Sequence, residues 1–175
     1  APREPPAQAH RNGGDDAAVW SLNGDETGLY GSGYHFGGGG TAEGSFKIDW
    51  DGNLVWIDDC HGDTYDTIPA GDVAYQASHK HYCGNLGTGG FPQTEPDWSF
   101  YRATAVTNYG TSVNKPDIYG YPDHDGEPSP TLLPWFPALN SGTFTGMYQG
   151  PWTVEANDDY VIMGGEFKTA NGVVR

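Results

Sequence analysis

Apolar positions in this chain alternate with polar ones in short runs, and the runs recur. VWSLNGDETGLYGSGYHFGG (19–38), TIPAGDVAYQASHKHY (67–82) and TVEANDDYVIMGGEFKTANG (153–172) share one order of features. Each has an alternating run, a turn carrying an aspartate (Asp25, Asp72, Asp159), a second run, then small residues and an aromatic or histidine. A period of two sends successive side chains to opposite faces, the signature of a half-buried strand. The turn aspartates lie 47 residues (25 to 72) and 87 residues (72 to 159) apart, the second spacing close to two periods. Repeats of roughly 40–50 residues with four strands each are the pattern of propeller blades.

The stretches between repeats supply the remaining strands. EGSFKIDWDGNLVWIDD (43–59) holds two alternating runs around Asp51-Gly52, a strong hairpin signal. WSFYRATAVTN (98–108) and PDIYGYP (116–122) predict two more. The expected organisation is an extended arm over 1–18, a blade over 19–59 and a second over 63–122. A Pro-rich insertion over 124–150 and a half blade over 151–175 follow. Two and a half blades leave a ring open. The chain is therefore expected to be part of a larger propeller, or to be completed by strands of other copies.

Composition agrees with the pattern. Twenty-seven glycines, thirteen prolines and 14% aromatic residues favour turns and pleated strands, so the predicted fold class is all-β. A formal net charge of −15 excludes phosphate backbones and anionic membrane surfaces as natural partners. It admits calcium, neutral glycans or a plain solvated surface. No run of about 18 apolar residues predicts a membrane span. The opening APREPPAQAHRNGGDD has no hydrophobic centre and reads as a mature N-terminus or the edge of an excised fragment. The expected location is extracellular.

MGGEFKTANG (163–172) resembles the G-G-x-F-x-x-x-N-G signature of secreted actinobacterial β-propeller proteins with delta-sixty-type repeats. LYGSGYHFGGGG, NLVWIDDCHGDTYD and HYCGNLGTGGFPQTEPDWSFYRATAVT are similar to stretches of the same family. The resemblance spans most of 19–172 and implies a propeller fold and a secreted location. It implies no particular activity.

Candidate chemistry concentrates in CHGDTYDTIPAGDVAYQASHKHYC (60–83). Two cysteines in an acidic, lysine-poor chain predict a Cys60–Cys83 disulfide, contributing roughly 3 kcal/mol through its loop. His79, His81 and Cys83 are two apart and would share a strand face, a spacing that also suits zinc. With the cysteines paired, His61, His79 and His81 remain as candidate ligand-binding residues, with Asp59 or Asp63 as carboxylate partners. Asp49, Asp51 and Asn53 offer oxygens to calcium, but equally to an ordinary Asp-Gly hairpin turn. No cofactor other than calcium is suggested. Trp135 and Phe136, in TLLPWFPAL, are candidate aromatic contacts for glycans or a protein partner. Trp20, Trp56, Trp98 and Trp152 lie in strand-like runs and are expected in the core. No nucleophile elbow or phosphate loop occurs, and 23 acids make some Asp/Glu pair inevitable. The leading reading is a structural or binding module that assembles with copies of itself or with the rest of a propeller. The alternative is a module that binds or degrades carbohydrate.

Overall fold

The computed structural model describes residues 17–35, 43–121 and 124–174. The arm expected over 1–18 falls almost wholly outside the described residues, as does Gly37–Gly40. Among the described residues the fold is all-β, with no helix and several small antiparallel sheets. Strands β1 (Ala17–Asp25), β2 (Gly28–His35), β3 (Ser45–Ile48) and β4 (Leu54–Asp58) form a meander in chain order. A second sheet comprises β5 (Thr64–Ala70), β6 (Val73–Lys80) and β7 (Tyr101–Thr107). Three two-stranded ladders follow. They pair β8 (Ser112–Val113) with β9 (Pro128–Ser129), β10 (Pro151–Ala156) with β11 (Val161–Gly165), and β12 (Thr169–Ala170) with β13 (Val173–Val174).

The three repeats become three equivalent hairpins. In the first, Asp25 Oδ1 accepts the N–H of Thr27 (2.7 Å) and of Gly28 (3.1 Å), which closes the turn. In the third, Asn157 Oδ1 takes the N–H groups of Asp159 (3.0 Å) and Tyr160 (2.8 Å) in the same way. In the second, Gly71 turns the chain at φ 57°. The Asp51-Gly52 hairpin also forms between β3 and β4.

The hairpins pack by their first strands, β5 lying against both β1 and β10. Asp66 on β5 joins all three, accepting from Asn23 Nδ2 (2.8 Å), Thr153 Oγ1 (2.8 Å) and the N–H of Val154 (3.0 Å). Their turns converge on an acidic cavity of about 530 Å³ lined by Asp25, Glu26, Asp72, Asn108, Asn157 and Asp158, among others. Between the first two sheets, Tyr30 and Trp56 pack on Ala74 and Val106. Beside that apolar cluster runs a fully buried polar one. Lys80 pairs with Asp58, and Gln76 Nε2 donates to Ser45 Oγ (2.6 Å) and Asp58 Oδ2 (2.7 Å).

Two expectations are corrected. PDIYGYP (116–122) is not a strand where it is described. Pro116 has no N–H to give a ladder, and Asp117 Oδ2 bends the chain by accepting the N–H groups of Tyr119 and Tyr121 (2.8 Å each). The fourth position beside β7 is filled instead from the Pro-rich insertion. Thr107 donates to Thr131 O (2.9 Å) and Leu133 to Ala105 O (2.8 Å), around a Val106–Leu132 bridge. The second correction concerns tryptophan. Trp56 is in the core as expected, but Trp20 and Trp98 are 45% and 41% exposed.

Candidate functional site

The Cys60–Cys83 disulfide forms and is buried against Leu86. It fixes an antiparallel pairing of 60–63 with 79–83. The N–H of His61 donates to Tyr82 O (2.8 Å), that of His81 to His61 O (2.9 Å), and that of His79 to Asp63 O (3.0 Å). Gly62 permits the approach. Its φ is 106°, and a Cβ there would lie 2.6 Å from His79 O. The pairing brings His61 close to His81, with ring centroids 6.0 Å apart, whereas the sequence spacing concerned only His79, His81 and Cys83.

These histidines underlie a continuous run of rings. Trp98 stacks on His81 (4.1 Å between centroids, 18° between planes). Phe100 meets both His81 (6.1 Å) and His79 (5.8 Å) edge-on. Tyr65 meets His79 at 5.7 Å and is itself packed between Trp20 (5.1 Å) and Trp152 (4.7 Å). Phe100 is 41% exposed, so Trp20, Phe100 and Trp98 present apolar rings to solvent along the run. Planar polar groups border it. His81 Nδ1 lies 3.0 Å from Gln93 Oε1, and Glu95 Oε1 accepts from Gln93 Nε2 (2.7 Å) and Trp98 Nε1 (3.2 Å). His79 Nδ1 contacts Gln149 Oε1 (3.0 Å) and the Tyr65 hydroxyl. Thr94 closes the presenting loop, its Oγ1 accepting the N–H of Ser99 (2.8 Å) and donating to Asp97 O (2.6 Å).

Behind the rings the titratable groups are displaced from their usual ranges. Burial pulls His61 and His79 down to about 4, so both imidazoles are neutral at ordinary pH. His61 donates from Nε2 to Asp117 Oδ1 (2.8 Å) and stacks on Tyr121 (4.1 Å). Burial opposes ionisation of Asp117, but donors from Asn85 and the backbone of Tyr121 and Tyr119 hold its pKa below the usual carboxylate value. Burial pushes Asp63 and Glu43 the other way, each up to about 7. Asp63 Oδ1, Glu43 Oε2 and His61 Nδ1 are buried without a hydrogen bond. His79 Nε2 stands 4.0 Å from Asp63 Oδ2.

The other predicted residues lie elsewhere. Trp135 meets Tyr75 edge-on at 5.0 Å, and Phe136 packs on Phe91 and Tyr101, so neither belongs to the histidine face. Asp49 accepts the Asn53 N–H (2.7 Å) and Nδ2 (2.8 Å), using both carboxylate oxygens to close its hairpin turn. The one group of Cys, His and acidic ligands that converges closely among the described residues is Asp58, Cys60 and Cys83. Its sulfurs are joined to each other and its carboxylate is held by Lys80, so no free ligand set results. Phe100, Gln93 and Asp117 were not singled out from sequence, and Trp98 was expected in the core rather than at a site. The available signal was Trp98-x-Phe100 in an extended run, where residues two apart share a face. No family model, curated protein or solved structure matches this chain.

Proposed function

We propose that the chain is an extracellular binding module of β-propeller type that holds a glycan on the Trp20–Phe100–Trp98 face. The observation that carries this reading is the run of half-exposed rings bordered by Gln93, Glu95 and Gln149. Flat rings cover the apolar faces of sugars, while planar amides and carboxylates take their hydroxyls. Neutral histidines beneath the rings keep the platform stiff without adding charge. The packing of β5 against both β1 and β10 and the convergence of their turns support the propeller reading. The buried disulfide and acidic composition support an oxidising, extracellular setting. Affinity electrophoresis in gels cast with different polysaccharides tests the reading. Retardation by at least one glycan is expected, and Trp98→Ala and Phe100→Ala should remove it. Retardation by none would refute the glycan reading.

A second reading, assembly with a partner strand, rests on a separate observation. β2 and β6 each pair on both sides, whereas among the described residues β11 has β10 as its only ladder neighbour. Beside β11 runs an apolar groove of about 260 Å³ lined by Trp135, Leu139, Ile162, Met163 and Phe167, among others. A strand of another copy, or a further propeller segment, would pair there. Sedimentation velocity tests this. Assembly through the groove predicts a multimer that Ile162→Glu dissociates, and a monodisperse monomer at high concentration contradicts it.

A further inference from the structure

Resting on the glycan reading, we infer that the Trp98 end of the ring face selects a cationic glycan, a polymer of free amino sugars, over neutral and uronate polymers. Charge complementarity points to this ligand. Glu95 sits at the edge of the Trp98 indole, bonded to its Nε1–H, and Asp97 precedes Trp98 in the same exposed loop. An ammonium group resting over the indole therefore meets a ring face and carboxylates together, the combination that favours cations. Positive charge is scarce. Among the described residues Lys47 and Lys80 are buried, and Lys115 and Lys168, which are exposed, are not part of the ring face. Among the described residues Arg102 is the cation close to these rings, its guanidinium 5.4 Å from the Phe100 centroid. It directs a ligand ammonium away from Phe100 and toward Trp98. Deeper in the face, beside His79, the Asp63 carboxyl has an oxygen that no protein group uses. The wider surface field of a chain at −15 adds to attraction of a polycation and repels a polyuronate.

The test compares glucosamine oligomers, neutral β-glucan oligomers, oligogalacturonate and polylysine by titration calorimetry in mildly acidic buffer, where the sugar amines are protonated. The glucosamine oligomer should bind about tenfold or more tightly than the neutral one, with affinity falling as salt is added. Trp98→Ala should weaken it about tenfold and Glu95→Gln about threefold. Phe100→Ala provides a second platform variant, and unchanged thermal melts establish that each variant is folded. Equal affinity for neutral and amino-sugar oligomers would overturn the selectivity while leaving the glycan reading intact. Preference for oligogalacturonate would also overturn it, assigning control to Arg102. Polylysine binding as tightly, without sensitivity to Trp98→Ala, would reduce the effect to surface charge and overturn it. Binding of no glycan at all would remove the underlying reading itself.

Discussion

Lys80 is fully buried, its ammonium held by Asp58 and by Gln76 Oε1 (2.6 Å), with Thr104 Oγ1 also donating to Gln76 Oε1 (2.8 Å). Removing one member of a buried ion pair leaves the other charge without compensation. Lys80→Ala should therefore cost about 3–5 kcal/mol in urea unfolding, while Lys80→Met combined with Asp58→Leu should cost markedly less. A double variant no more stable than Lys80→Ala would contradict this account. The carboxyls and histidines of the ring face make opposite contributions with pH. Asp63 and Glu43 titrate near 7 in the folded chain, above their unfolded values. The folded state holds extra protons, so their contribution is full below about pH 4 and lost as pH rises toward 7. His61 and His79 titrate near 4, below their unfolded value, so the unfolded chain binds the extra protons. Their contribution grows as pH rises from about 4 to 6.5. Asp63→Asn removes one carboxyl while keeping its shape. It should gain stability relative to the parent between pH 5 and 8, on the order of 2–4 kcal/mol. A difference between the two that does not change with pH would show that Asp63 is already ionised at low pH.

At the scale of elements, the disulfide and the hairpins share the task of ordering a chain with few large apolar side chains. Cys60 and Cys83 enclose β5 and β6, so the covalent loop coincides with one complete hairpin. Replacing both cysteines by alanine should lower stability by roughly 3 kcal/mol, read from denaturant midpoints at unchanged slope. It should also loosen the 60–63 and 79–83 pairing. Faster amide exchange at His61 and His81 would report that loosening, and unchanged exchange there would contradict it. The hairpins were legible because Asp, Asn and Gly at their turns have only a few compatible backbone geometries. PDIYGYP was misread because its aromatic alternation imitates a strand, while Pro116 and the Asp117 side chain commit the backbone to bends.

At the scale of the molecule, the sheets are joined through polar side chains as much as through apolar contact. Asp66 links β1, β5 and β10 by direct hydrogen bonds, beside the Trp20–Tyr65–Trp152 ring stack that spans the same three strands. Asp66→Ala should leave Val154 N–H and Thr153 unsatisfied and cost about 2–3 kcal/mol. The loss should concentrate in the β10–β11 hairpin, with amide exchange accelerated over 151–165 and little changed in β2 and β3. Uniform acceleration across all three sheets would show that the chain unfolds as one unit instead. The same architecture explains the ring face. β1, β5, β6 and β10 give Trp20, Tyr65, His79 and Trp152 to the run, the segment before β7 gives Trp98 and Phe100, and only their packing against one another makes it continuous.

The sequence by itself determined the all-β class, the three repeated hairpins, their turns and the cysteine pair, because each follows from local stereochemistry or from a choice between two partners. Tertiary packing alone decided which tryptophans face solvent. Alternation places Trp20 and Trp98 on one side of a strand, but it cannot say whether another sheet covers that side. Packing likewise brought His61 to Asp117 and Lys80 to Asp58, pairs separated by 56 and 22 residues in the chain (117 − 61 and 80 − 58). Such pairs depend on how sheets stack, and stacking is fixed by complementary shape and buried charge rather than by the period of any one strand.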